Sequence, residues 1–163
     1  MNNDQFDFNT QLNEAKALLK HINESIRETR NKTYFLIGFP LAFVAFFSKS
    51  FFNSTEYKSV EFWMFIFSVV WALGVVWASR TSLSPLKLRF DGMSPKAFSR
   101  IIQDQKGNEL WIKNSILHSY DKSIEINSGH LTCLAKEYHR TIFVSVVLLL
   151  CAAGFLVIER LVR

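Results

Sequence analysis

The chain carries 19 basic and 14 acidic side chains in 163 residues, yet none falls within Thr33–Ser48, Phe62–Ser79 or Thr141–Ile158. These windows hold 16, 18 and 18 residues. Eighteen residues of helix cover about 27 Å, close to the roughly 30 Å of a bilayer's hydrocarbon layer. With 49% hydrophobic and 20% charged residues the bulk composition is ordinary for a soluble protein; the ordering is not. Three such runs in so short a chain leave too little polar surface to cover them in water. A compact soluble enzyme is therefore excluded as the first reading, and so are a disordered chain, a disulfide scaffold and a collagen-like repeat.

The flanks agree with three membrane spans. Lys32, Lys49, Glu61, Arg80, Arg140, Glu159 and Arg160 bracket the runs, and Tyr34, Trp63 and Trp77 stand near their ends, where amphipathic rings favour the interface. The first run extends to Phe52 if Lys49 snorkels outward. Lysine and arginine counts set the orientation: five precede the first span, two separate the first and second, ten separate the second and third, and two follow. Cytoplasmic loops carry the excess, so the N terminus and residues 80–140 are expected in the cytoplasm. The organisation expected is a cytoplasmic N-terminal helix (1–32), spans at 33–52, 62–79 and 141–158, an outer loop (53–61), a cytoplasmic segment (80–140) and an outer stub (159–163). No basic region precedes an early apolar core, so the first span is expected to serve as its own insertion signal.

A helix pattern begins near Thr10, where Leu12, Leu19 and Ile26 recur every seven residues with Ala15 and Ile22 between them. Nothing breaks it before Gly38 and Pro40, which together predict a kink. Leu86, Leu88 and Phe90 alternate with Lys87 and Arg89, as in a short strand or extended segment. Ser94-Pro95 fits a helix start, with an end at Gly107. Leu110, Leu117, Ile124, Leu131 and Tyr138 then recur every seven residues, predicting a long helix that enters the third span, with Gly129 as its weak point. An asparagine on such a seam often sets register or oligomer state, which makes Leu110, Leu117, Ile124, Asn127 and Leu131 the expected oligomer seam. The fold class expected is an all-α membrane protein with three transmembrane helices, cytoplasmic helical extensions and one short extended segment.

Catalytic chemistry finds no foothold in the sequence. His21, His118, His130 and His139 stand in no metal-binding spacing, although His130, Cys133 and Glu137 share a helical face. No nucleophile elbow or phosphate-cradling glycine loop occurs, and apart from the snorkelling Lys49 no charge interrupts the spans as an ion-coupled transporter would require. No enzyme activity, cofactor or metal is expected. Phe35, Phe39 and Phe43 form a stripe beside Pro40 that suits a hydrophobic gate or, alternatively, a lipid-facing or packing surface. Gly74 and Ala78 allow close helix approach, and so does the patch Ala152-Ala153-Gly154. Lys87, Arg89, Lys96 and Arg100 cluster where anionic lipid heads or a phosphate-bearing ligand would be met.

Order and spacing over residues 25–158 resemble the transmembrane domain of Pycsar effectors, membrane proteins of a bacterial antiphage system. The residues that carry the resemblance are the span entry RNKTYFLIG (30–38), the segment LRFDGMSPKAF (88–98) leading to a helix start, and AKEYHR (135–140) approaching the third span. The chain also looks like the wider group of small two-span antiphage effectors. The resemblance implies an effector that disrupts the bacterial inner membrane once triggered. The partners expected are a lipid bilayer and further copies of the chain as a homo-oligomer, with no direct nucleic-acid binding. In that family a fused domain senses a cyclic nucleotide. Here the trigger would come from a partner sensor protein, or from a nucleotide messenger read by residues 80–140. The alternative is a membrane-anchored helical module that recruits a partner protein.

Overall fold

The computed structural model describes residues 3–53, 60–89 and 109–162. Among them every regular element is a helix: α1 (Asn3–Asn53), α2 (Val60–Ala78), the single turn α3 (Arg80–Leu83) and α4 (Glu109–Val162). α1, α2 and α4 are each long and apolar enough to cross a membrane. The chain divides into two compact units, one formed by residues 1–28 and 86–133, the other by residues 29–85 and 134–163. α1 and α4 each contribute to both.

α1 starts well before Thr10. Its early turns gain a partner in the first unit, where the Lys113 ammonium lies 5.6 Å above the Phe8 ring. Strong helix formers from Ala15 to Lys20 carry it forward. The helix continues through Pro40, although proline leaves the Leu36 carbonyl without its usual donor. α4 likewise continues through Gly129, where an added Cβ would meet open space.

In the first unit the buried apolar side chains are Leu19, Ile22 and Ile26, spaced three and four apart along one face of α1. The fully buried residues of α4 there are Ser123 and Asn127. The hydroxyl of Ser123 is satisfied within α4, donating to the Ser119 carbonyl at 2.9 Å. Residues 85–89 form neither helix nor strand, and Ser84 before them has extended backbone angles. The helix expected between Ser94 and Gly107 lies outside the described residues.

The second unit is built around Ile37, Trp71 and Val75, with Phe67 and Leu148 packed against them. The Trp71 indole N–H donates to Ser145 Oγ at 3.3 Å inside this core. Gly74 brings α2 and α4 together: a Cβ added there would stand 3.4 Å from both Leu148 Cδ1 and Val144 Cγ1. Ala78, one turn further on, is fully buried. The small-residue spacing Gly74 to Ala78 thus marks a real close approach, as in helix pairs packed within lipid. Gly154, by contrast, faces open space.

Most of the apolar surface of this unit points outward. Only 17%, 22% and 11% of the most apolar windows of α1, α2 and α4 are buried. Phe35, Phe46 and Leu150 are 70%, 75% and 67% exposed. An exposed apolar surface this continuous is what a lipid-facing protein presents and what a monomer in water avoids.

Candidate functional site

α3 is a single turn that follows α2 directly, and the second unit grips it at both ends. A helix start leaves backbone N–H groups without partners, and a nearby side chain usually accepts them. Ser79, the residue in the capping position, makes no such bond. Its hydroxyl turns back and donates to the Val75 carbonyl at 2.7 Å. Glu137 of α4 takes over the task. Its carboxylate accepts the Thr81 N–H at 3.2 Å, the Ser82 N–H at 2.9 Å and the Ser82 hydroxyl at 3.1 Å. Glu137 is only 8% exposed. A carboxylate so buried is tolerated because donors surround it, two of them backbone groups at the positive end of a helical turn.

The other end of α3 is met by α1. Tyr34 donates its hydroxyl to the Ser82 carbonyl at 3.3 Å, and Arg30 Nη2 donates to the Ser84 carbonyl at 3.3 Å. Arg30 also donates to the Tyr34 hydroxyl at 2.7 Å, with its guanidinium 5.6 Å from the ring centroid. A negative group therefore sits at the N-terminal end of the turn and a positive one at its C-terminal end, the favourable sense for a helix dipole. Three long helices converge on this turn: α2 through the chain, α4 through Glu137 and α1 through Arg30 and Tyr34. Ser82, at the centre, is fully buried.

The first unit contains a second polar lock. Asn127 of α4 treats the Arg89 peptide as a neighbouring strand would: the Arg89 N–H donates to Asn127 Oδ1 at 3.2 Å, and Asn127 Nδ2 donates to the Arg89 carbonyl at 2.7 Å. Nδ2 also donates to Asn23 Oδ1 of α1 at 2.7 Å. Asn127 thus has partners inside its own chain, and the Arg89 peptide is held against α4 by it.

The expected site residues separate. Phe35, Phe39, Phe43 and Phe47 form an aromatic ladder with centroids 6.0, 6.0 and 6.2 Å apart. Phe35 and Phe39 remain exposed, Phe43 meets Trp71 at 5.7 Å, and Pro40 is buried. Lys87 and Arg89 are exposed in the first unit, while Lys96 and Arg100 lie outside the described residues. On the seam, Leu117, Ile124 and Leu131 are half-buried and Leu110 is 69% exposed. No group of His, Cys, Asp and Glu among the described residues is arranged to hold a metal. The sequence pattern missed Glu137, Arg30 and Tyr34 as a set, because α3 has no periodic signature and its partners lie about fifty residues away on either side. No protein-family model, curated protein or solved structure matches the chain.

Proposed function

We propose that the chain is a non-enzymatic, oligomeric effector of the bacterial inner membrane that permeabilises the bilayer in antiphage defence. The observation that supports this most is the pairing of three membrane-length apolar helices, mostly unburied, with one polar junction to which all three are tied. In this reading the N terminus and residues 80–140 face the cytoplasm and the C terminus faces the periplasm, following the excess of lysine and arginine. The α3 junction holds the resting arrangement. A cytoplasmic trigger, a partner protein or a nucleotide signal, releases α3 from Glu137 and from the Arg30–Tyr34 pair. The helices then rearrange, and the exposed Phe35–Phe39 stripe meets other protomers around a conducting path.

The coupling requires two states that differ in their contacts at this junction. Entry of a membrane-impermeant dye into cells after induction during phage challenge tests the proposal. Dye uptake that depends on the protein supports it; membranes that stay sealed under every phage tested reject it.

A further inference from the structure

Lys16, Lys20, Asn23 and Arg27 follow one another along α1 at intervals of four, three and four residues, which places them on one stripe of the helix. In the first unit this stripe, with Leu19, Glu24 and Tyr120, lines a groove of about 470 Å³. Ligand pockets occupy roughly 300–1,000 Å³. Leu19 gives the groove a buried apolar wall, and half-buried Tyr120 adds a ring and a hydroxyl from α4. Asn23 is held in orientation by its bond from Asn127.

The charge balance in the groove is unequal: three cations against one carboxylate. Glu24 stands 3.9 Å from Lys20, a loose contact between two well-exposed groups. Among the described residues, Lys16 and Arg27 make no ion pair. Lys16 and Lys20 are like charges one turn apart, an arrangement that destabilises a helix unless an anion joins them. The excess of basic residues on one side of a membrane explains their number but not their alignment along a groove. The charges extend over eleven helical steps, from Lys16 to Arg27, or about 16 Å, more than a single carboxylate can reach.

We infer that this groove binds a ligand bearing two or more phosphate groups, free in solution or in lipid headgroups. Its role as a trigger rests on the function proposed above; the binding does not. The test uses the full chain in phosphatidylcholine nanodiscs, titrated with inorganic tripolyphosphate, and a parallel comparison of its association with phosphatidylglycerol and phosphatidylcholine vesicles. The expected result is saturable binding in one arm, which identifies the source. That binding weakens at least about tenfold in Lys16→Gln/Lys20→Gln/Arg27→Gln and is kept in Lys122→Gln/Lys136→Gln/Arg140→Gln, which loses equal charge from exposed positions elsewhere. Glu24→Gln, which removes the opposing charge, binds more tightly than the parent, an outcome that misfolding does not produce. Absence of saturable binding in both arms, or equal loss in the two triple variants, overturns the inference. Dye uptake in cells, read separately, reports on the effector function alone.

Discussion

The Glu137 carboxylate accepts the Ser82 backbone N–H at 2.9 Å across 55 positions of sequence, and so supplies from α4 the cap that α3 does not make for itself. Buried bonds to a charged group contribute about 1.5–3 kcal/mol each, and breaking them leaves donors with no water to turn to. Glu137→Ala should lower stability in detergent by about 3 kcal/mol. Glu137→Gln, which keeps the shape but sets an amide N–H against one of the donors, should cost less, about 1–2 kcal/mol. Thermal unfolding followed by circular dichroism checks the order; equal midpoints for parent and Glu137→Ala would show that the cap carries no weight.

Asn127 predicts a second asymmetry. Asn127→Asp keeps the acceptor for the Arg89 N–H but loses the donor shared by the Arg89 carbonyl and Asn23, and it introduces a buried charge. It should destabilise more than Asn127→Ser, with a cost of about 2–3 kcal/mol. Amide hydrogen exchange at Arg89 should accelerate in both variants.

Gly74 sits where two side chains of α4 leave room for a methyl group and little more. Gly74→Ala should change stability by less than about 1 kcal/mol, because the neighbouring atoms stand at 3.4 Å, and alanine is the better helix former. Gly74→Leu should push α2 away from α4 and cost about 1–3 kcal/mol. Trp71 emission, reporting on the adjacent core, should shift to the red in the leucine variant only.

The proposed orientation is open to direct chemistry at two free thiols. Cys133 and Cys151 are both exposed, but Cys151 lines an apolar groove of about 300 Å³ with Trp63, Phe67 and Phe155. A membrane-impermeant maleimide should label Cys133 in inverted membrane vesicles and not in spheroplasts. Cys151 should resist it in both and react only after solubilisation. Labelling of Cys133 from the periplasmic side would reverse the topology.

Lys113 Nζ stands 2.6 Å from Glu109 Oε1 and holds that carboxyl below its ordinary value of 4.5 through the hydrogen bond and the charge. Because the folded value is lowered, the pair supports the folded state at neutral pH, and the support fades as the pH falls below 4.5 and through the lowered value. Glu109 is well exposed, so the effect is seen in titration rather than in stability. The Glu109 side-chain carbonyl signal should titrate at lower pH in the parent than in Lys113→Gln.

The three helices were legible from charge-free windows alone, since any chain must hide or immerse such runs. α1 and α4 were legible as continuous helices because nothing breaks the pattern between Thr10 and Gly38 or from Leu110 into the third span. The packing within the chain was legible only in part. Heptad reasoning selected Leu110, Leu117, Ile124, Asn127 and Leu131 as a seam between protomers; of these Asn127 is buried within the protomer, together with Ser123, Leu134, Glu137, Thr141 and Ser145 of α4. Helices that meet through small or hydrogen-bonded residues leave their larger apolar side chains outside, and a search for apolar periodicity reads the outer face. Arg30 and Lys87 have equal standing in a charge count; only the fold shows that one reaches the Ser84 carbonyl while the other faces outward.

The buried hydroxyls of the second unit have a mechanical consequence. Thr33 donates to the Thr29 carbonyl at 2.9 Å, Ser79 to Val75 at 2.7 Å and Thr141 to Glu137 at 2.9 Å, and Ser68 donates to Met64. Each is satisfied within its own rod. Rotating or sliding one rod past the next would strand none of these four, so the polar resistance to such a movement rests with the bonds that cross between elements, those of Glu137, Arg30 and Tyr34 to α3 and of Trp71 to Ser145.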